Sequence, residues 1–504
     1  MLKRNLIANY LGQGWIALMT FVFIPLHIKY LGIEAYGLIG VFNVMQAWFI
    51  LLDMGMTPTL SREMARFMAG EDPPEYIRDL LRSIECVVLW IALLAGGSVA
   101  LAANWIASHW LQVRDLPLED VAQAFALMGV VLALRFLEGI YRSSLVGLQR
   151  QVLLNLLNSA IATLRGLGAV GILVWVAPTI QAFFLWQGFV SLLGGIVLFV
   201  ATYMTLPKGV RNGRFSIGAL RPVWTFAQGM LKITLLSLLL TQVDKLLLSK
   251  LLPLREFGYY MLAVSLAGTL YYLVNPITQA WYPRLCQLQA HQDQSALATI
   301  YHQGAQLVSV TAGSAGMVLI LFSEPILFLW TQDPELTQRV APFLSIIVAG
   351  NMLHSFMHIP YQAQLAHGWT NLAVRVNAVG VLFIVPAILW GVPHYGAWAA
   401  AWIWLSLCAG YVFIGAQLMY RRILMTEKWK WYLMDLLLPL SAGLSMALCI
   451  KYLAGHIEAT MSPRHYAFAQ LSVAAIATLS VTAMASSTMR QRLNKILANR
   501  KKLS

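Results

Sequence analysis

Fourteen runs of about twenty mostly apolar residues leave this chain few folds to choose from. A helix of that length spans the hydrocarbon core of a bilayer. Inside lipid, only helices and closed barrels satisfy every backbone N–H and C=O. The runs fall at 5–28, 36–56, 83–104, 121–141, 152–177, 180–204, 226–249, 257–281, 303–324, 340–362, 370–392, 395–419, 432–454 and 466–487. Charged residues make up 11% of the chain, against about 25% in soluble domains, so most of the surface is expected to face lipid. The expected fold class is therefore all-α, a polytopic membrane protein of about fourteen spans. The fourth and tenth runs carry polar residues at their centres. Pro25, Pro276, Pro360 and Pro386 mark expected bends.

The formal net charge is +14, and its placement reads as topology. With the N-terminus in the cytoplasm, 23 Lys and Arg fall in inside segments, 7 in outside segments and 5 within spans, of 35 in all. Such a bias sets orientation. It predicts both termini in the cytoplasm and accounts for the basic balance without nucleic acid. The opening Met-Leu-Lys-Arg resembles a signal-peptide n-region, but the apolar run after it holds Asn5, Asn9 and Gln13 and lacks a small-x-small cleavage site, so a retained first span is expected. Cys86, Cys286, Cys408 and Cys449 are scattered without a Cys-x-x-Cys pair. No metal site, cofactor or redox pair is therefore expected.

A weak internal repeat divides the chain. Tyr36-Gly37 corresponds to Phe257-Gly258 at an offset of 221; Trp110 and Gln112 correspond to Trp330 and Gln332, and Tyr141 and Leu145 to Tyr361 and Leu365, at 220. Two six-helix bundles in the same orientation follow, at 1–205 and 226–420, with a cytoplasmic linker at 206–225. Two additional spans and a basic tail occupy 421–504. Parallel repeats of this kind build transporters that rock about a midplane site.

Arg135 and Arg165 fall near the centres of consecutive spans. Arginine there costs about 2.5–3.5 kcal/mol on insertion scales and faces a bundle interior or wet cavity. A cationic lumen is one reading. The other pairs Arg135 with Glu138 and Arg165 with helix ends or carbonyls. Lys232 and Arg375 lie inside the cytoplasmic ends of spans 7 and 11, as lumen cations or as side chains that snorkel to the interface. Glu138 and Asp244 are carboxylates suited to H⁺ or Na⁺ coupling, although Asp244 also sits beside Lys245. His354 and His358 share a helix face, which suits a proton relay or a packed, hydrogen-bonded pair. Asp53 is expected to pair with an arginine such as Arg62. No Walker sequence occurs, so ATP hydrolysis is not expected, and the chain reads as a non-enzyme with no catalytic residues.

Several stretches resemble a known family. Tyr30-Leu-Gly32, Tyr36-Gly37, Leu52-Asp-Met-Gly55 and Ser61-Arg-Glu-Met-Ala-Arg66 resemble the start of bacterial polysaccharide flippases of the multidrug/oligosaccharidyl-lipid/polysaccharide exporter superfamily. Gly147-Leu-Gln149, Trp330-Thr-Gln-Asp-Pro-Glu335 and Leu365-Ala-His-Gly368 are similar to its lipopolysaccharide-biosynthesis branch. The resemblance implies a V-shaped transporter of two bundles in the bacterial inner membrane. It implies movement of an undecaprenyl-pyrophosphate-linked oligosaccharide, such as an O-antigen repeat unit, from the cytoplasmic to the periplasmic leaflet. The implied partners are that lipid-linked oligosaccharide, membrane lipids, and a polysaccharide polymerase with its chain-length regulator. The usual member of this branch has twelve spans; the extra pair here is similar to that of fourteen-span lipid II flippases. Two rival readings stand beside this one. A multidrug exporter of the same fold, coupled to H⁺ or Na⁺, would want an acidic cavity. A polysaccharide polymerase or ligase would want a large outer loop, and the outer loops here are short.

Overall fold

The computed structural model describes residues 2–68, 73–206, 213–456, 462–488 and 490, with the backbone alone at 2–7, 221–233 and 463. The described residues are helical throughout, without a named β-strand. Among the described residues, thirteen helices are long and apolar enough to cross a membrane, and they match thirteen of the fourteen expected spans. The seventh, 226–249, falls in the helix Ile217–Leu251, where the side chains of 221–233 lie outside the described residues. So do residues 207–212 of the expected linker and 491–504 of the basic tail. The chain divides into two compact units, Met1–Gly258 and Tyr259–Ser504.

Unit 1 contains α1 (Leu2–Leu31), α2 (Ile33–Leu52), α3 (Met56–Met68), α4 (Pro74–Leu101), α5 (Leu118–Gly147), α6 (Gln151–Trp175), α7 (Ile180–Thr205) and α8 (Ile217–Leu251). Their starts follow from local chemistry. Pro74 occupies the first helical position of α4, where no N–H is needed. Thr179 and Ser216 cap α7 and α8 by accepting from Ala182 N and Ala219 N. Helix α5 is central, packed on α3, α4 and α7, while α1 lies along α6 and α8 lies against α2, α3 and α4. Gly96 of α4 and Gly129 of α5 face each other so closely that a Cβ on either would strike the other's carbonyl. Small residues let membrane helices approach in this way, gaining dispersion where lipid offers no hydrophobic drive. The loop after α4 is tied down by Glu34 of α2, buried, whose carboxylate accepts the backbone N–H groups of Arg114, Asp115 and Leu116 at 2.8, 2.6 and 3.0 Å.

Unit 2 is built on α9 (Leu254–Ala267), which starts just ahead of it, and α10 (Thr269–Ala290). Helix α11 (Gln294–Val308) passes through a π turn at Ser309–Gly313 into α12 (Ser314–Leu321), followed by α13 (Ser323–Thr331), α14 (Pro334–Phe356) and α15 (His358–Ala366). Then come α16 (Asn371–Tyr395) and α17 (Ala397–Gly410), which passes through a π turn at Tyr411–Gly415 into α18 (Ala416–Tyr420). A third π turn, Trp431–Leu437, leads into α19 (Leu438–Ala454), and α20 (Pro463–Ala485) closes the unit. Tyr301, Val308, Phe356, Met419 and Trp431 share its main core.

Helices α5 and α15 end alike. After α5, Gln149 adopts a left-handed φ of 57°, with Gln149 N donating to Val146 O at 3.0 Å and Arg150 N to Leu145 O at 2.9 Å. After α15, Gly368 adopts φ of 66°, with Gly368 N donating to Leu365 O at 2.9 Å and Trp369 N to Gln364 O at 3.0 Å. These are the same helix stop, satisfying the last carbonyls from a left-handed residue.

The last two spans pack on α12 and α13, with Ala447 and Ala474 meeting Val318 and Phe322. A polar knot fixes them. His302 of α11 directs Nδ1 at the Asp435 carboxylate in a short contact and Nε2 at Glu427 Oε2, 2.9 Å away. Gln306, one turn on, donates to Asp435 Oδ1 at 2.8 Å and accepts from Ser486 Oγ at 2.7 Å and Thr488 N at 2.9 Å. The His302 hydrogen bond holds the Glu427 carboxyl below its ordinary range.

Candidate functional site: a cationic cluster on α5 to α7

Arginine is expensive at this depth, so its partners decide what it does. Arg135 of α5 is held by neutral amides. Its Nη1 donates to Gln46 Oε1 of α2 in a short contact and its Nη2 to Gln187 Oε1 of α7 at 2.8 Å. The guanidinium lies 4.8 Å from the centre of the Phe42 ring, a cation–π contact strengthened by desolvation. Its Nε is buried without a hydrogen-bond partner. Arg135 also lines a cavity of about 380 Å³ with Asn43, Gln46, Asp53, Thr57 and Phe136.

Arg165 of α6 lies 3.5 Å from Glu138 Oε1, an ion pair without hydrogen-bond geometry, and donates to Ser191 Oγ at 3.3 Å. Its Nε too is buried and unpartnered. The Glu138 carboxylate is 2% exposed, and its Oε2 accepts from Arg142 Nη2 at 2.7 Å. Residues four apart share a helix face, and that proximity gives Glu138 to Arg142. The pairing of Arg135 with Glu138 is therefore replaced: Glu138 serves Arg142 and Arg165, and Arg135 turns to α2 and α7. The cluster sets Arg142 and Arg165 on one carboxylate and holds Arg135 on neutral amides, with two N–H donors unused. It can bind a diffuse anion.

Asp244 and Lys245 form a neighbouring ion pair at 3.2 Å, with Lys245 also donating to Thr241 O at 2.6 Å. The side chain of Lys232 lies outside the described residues. Arg375 is exposed, on the wall of an apolar groove of unit 2. His354 meets the Tyr271 ring edge-on and His358 meets it at a tilt; the Tyr271 hydroxyl lies 3.1 Å from His354 Nδ1 and 3.2 Å from Asn351 Oδ1, and Trp404 Nε1 donates to the same Asn351 oxygen at 2.9 Å. His358 Nδ1 faces the carbonyl of His354 at 3.2 Å. Asp53 accepts from Thr57 N at 3.1 Å and Thr57 Oγ1 at 2.8 Å, while Arg62 pairs with Glu63 at 2.7 Å. Burial pushes the Asp53 carboxyl up, against the pull of those Thr57 bonds.

Sequence reasoning passed over Gln46, Gln187 and Ser191, which hold the two arginines. Their signal was present: each is a polar side chain inside an apolar run, and such residues face protein. His302 and Asp435 were passed over as well. They are 133 residues apart, and no local pattern joins them.

Comparison with known proteins gives a consistent neighbourhood. A family model described as polysaccharide biosynthesis protein matches residues 2–289, and one described as MatE matches residues 231–390. A Shigella flexneri protein named "Putative O-antigen transporter" is 18% identical over 403 residues, covering 80% of this chain and 93% of that protein. Among solved structures, the lipid II flippase MurJ in an inward-closed conformation has a TM-score of 0.70 at 14% identity, covering 95% of this chain and 98% of its own. An inward-facing MATE-family multidrug resistance transporter of the MOP superfamily has a TM-score of 0.65 at 12% identity, covering 82% of this chain and 96% of its own. At these identities the two structures speak for the fold.

Proposed function

The chain belongs to the polysaccharide biosynthesis protein family, and from that premise we propose that this multi-pass membrane transporter is a flippase for an anionic lipid-linked oligosaccharide. The substrate class is an undecaprenyl-pyrophosphate-linked repeat unit of O-antigen or another surface polysaccharide, carried across the bacterial inner membrane by alternating access. The observation that carries the reading is the pair of buried, unused Nε–H donors on Arg135 and Arg165.

A pyrophosphate entering a poorly hydrated cavity loses its water, and charge-assisted N–H donors replace it best. Guanidinium keeps its charge and its planar donor fork where an ammonium is more readily neutralised. Binding must also be weak enough to release. Arg135 is held by two neutral amides and Arg165 shares its carboxylate with Arg142, so both can contribute to a transient anion site without a tight cage. The drug-exporter reading is less well supported, because the cluster carries more cations than carboxylates and a cationic drug would be repelled.

The direct test is Arg135→Ala/Arg165→Ala in a strain whose surface polysaccharide depends on this protein. The expected result is loss of surface polysaccharide at normal protein level in the membrane, with Lys at either position retaining part of the activity. Normal polysaccharide from the double variant would remove the cationic site from the mechanism. Coupling belongs to the same proposal. Glu138 is committed to two arginines, which leaves Asp53, on the wall of the Arg135 cavity, and the His354–His358–Tyr271 group as carriers of a coupling proton. Transport into vesicles with and without an imposed pH gradient separates a coupled from an uncoupled protein.

A further inference from the structure

Unit 2 carries a groove of about 700 Å³ between α16 and the α17–α18 segment. Val379, Phe383, Leu407, Ile414 and Leu418 give it an apolar wall, and Trp369 and Arg375 stand at one end. Arg422 lies over the Trp369 ring, 4.8 Å from its centre, so two guanidinium groups attend that end. Arg375, Val379, Phe383 and Ile414 are all exposed along the groove.

The expected internal repeat offers a comparison for this face. At the offset of 220, Arg375 and Phe383 correspond to Asn155 and Thr163 of α6. In unit 1 that face of α6 is covered by α1. Asn155 Nδ2 donates to Asn9 Oδ1 at 2.5 Å, Trp15 Nε1 donates to Thr163 Oγ1 at 2.8 Å, and Gly12 lies so close to Asn155 that a Cβ would collide with it. In unit 2 the polar groups that anchor a helix are exchanged for apolar side chains and one cation. The face has the same form and a different chemistry.

We propose that this groove binds one anionic phospholipid of the membrane, with an acyl chain along α16 and α17 and its phosphate at Arg375 and Arg422. The two halves of the ligand are recognised by different physics. Apolar walls give an acyl chain little net advantage over bulk lipid, because lipid tails are as apolar as leucine. They supply fit and position. Preference comes from the basic end, since basic pockets between membrane helices take anionic head groups, and each arginine near the surface is worth about a five-fold gain in anionic-lipid binding. The 700 Å³ of groove suits an acyl chain of ordinary length, whereas a polyprenyl tail would overrun it. The assignment stands independently of the proposed transport activity.

The test uses the full-length protein, stripped of lipid in detergent and titrated with phosphatidylglycerol or phosphatidylcholine of matched chains, with bound lipid counted by native mass spectrometry. The expected preference for phosphatidylglycerol is about twenty-five-fold, falling to near parity in Arg375→Gln/Arg422→Gln. Gly410 lines the groove with open space beyond its Cα, so Gly410→Leu should plug it and favour the helix. That variant should keep its melting temperature and lose the tightest-bound phosphatidylglycerol. Equal binding of the two lipids by the unaltered protein would overturn the proposal, as would a preference unmoved by both variants. Displacement of phosphatidylglycerol by undecaprenyl phosphate at equal concentration would also overturn it, assigning the groove to the polyprenyl substrate instead.

Discussion

Replacing Glu138 by Gln isolates the electrostatics of the cluster. The carboxylate is 2% exposed and serves Arg142 at 2.7 Å and Arg165 at 3.5 Å. Removing one member of a buried ion pair costs about 3–5 kcal/mol, because the remaining charge stays buried without compensation. The two arginines do not share that cost equally. The Arg142 side chain is 35% exposed and can turn to water, whereas Arg165 is 23% exposed and holds only Ser191 besides. We therefore expect Glu138→Gln to destabilise unit 1 by about 3 kcal/mol, the lower end of that range. Arg165→Gln should cost less, about 1 kcal/mol, because Glu138 keeps its hydrogen bond from Arg142. The double variant should cost less than the sum of the singles, with a coupling of about 1–2 kcal/mol. The measurement is the unfolding midpoint in mixed micelles with increasing dodecyl sulfate, on all four proteins of the cycle. A Glu138→Gln cost below about 0.5 kcal/mol, the level of an ordinary surface change, would refute the argument, and Arg142 and Arg165 would then have to be solvated in the native state.

Three further outcomes follow from the same reasoning. Asp53→Asn should raise thermal stability at neutral pH, because burial disfavours the ionised carboxyl; a carboxyl with a raised folded pKa costs stability above that pKa, so the gain should vanish as pH falls through it, and a gain that grows on acidification would contradict the assignment. Asp435→Ala strips a fully buried acceptor from His302 and Gln306, at about 3 kcal/mol, and hydrogen exchange should speed up in α20 before it does in α5; unchanged protection of α20 would mean the knot does not hold the last helix pair. Gln187→Leu removes a 2.8 Å bond to Arg135 and should lower protein level by leaving a buried guanidinium donor unpaired, while Gln187→Glu, which keeps an acceptor, should preserve it.

Much of the fold was legible because lipid punishes every departure from it. Runs of apolar residues had to be helices, and all fourteen fall in helices. The mid-helix positions of Arg135 and Arg165 were legible for the same reason. Their partners were not, because a charge in an apolar run says only that some polar group must face it. Glu138 is three residues from Arg135 and four from Arg142, and helical spacing permits either pairing. Packing decides between them. Gln46 on α2 and Gln187 on α7 take the two terminal nitrogens of Arg135, so that arginine is held from across the unit with its Nε still unpartnered, and Glu138 is left for Arg142 and Arg165.

The last two spans make the same point at longer range. Their sequence reads as two apolar helices, and nothing in it says where they attach. Asp435 lies near the end of one apolar run and His302 just before another, with nothing local to join them. Folding brings them together across 133 residues, with Gln306 supplying a further bond to Asp435 and two to the far end of the pair. Lipid gives two apolar helices no reason to prefer a bundle over bulk membrane. A buried, directional set of hydrogen bonds gives one, since it is satisfied in a single arrangement and costly in any other. The helix pair beyond the repeat is thus held in register chiefly by polar groups, while the apolar contact of Ala447 and Ala474 with Val318 and Phe322 fills the space between.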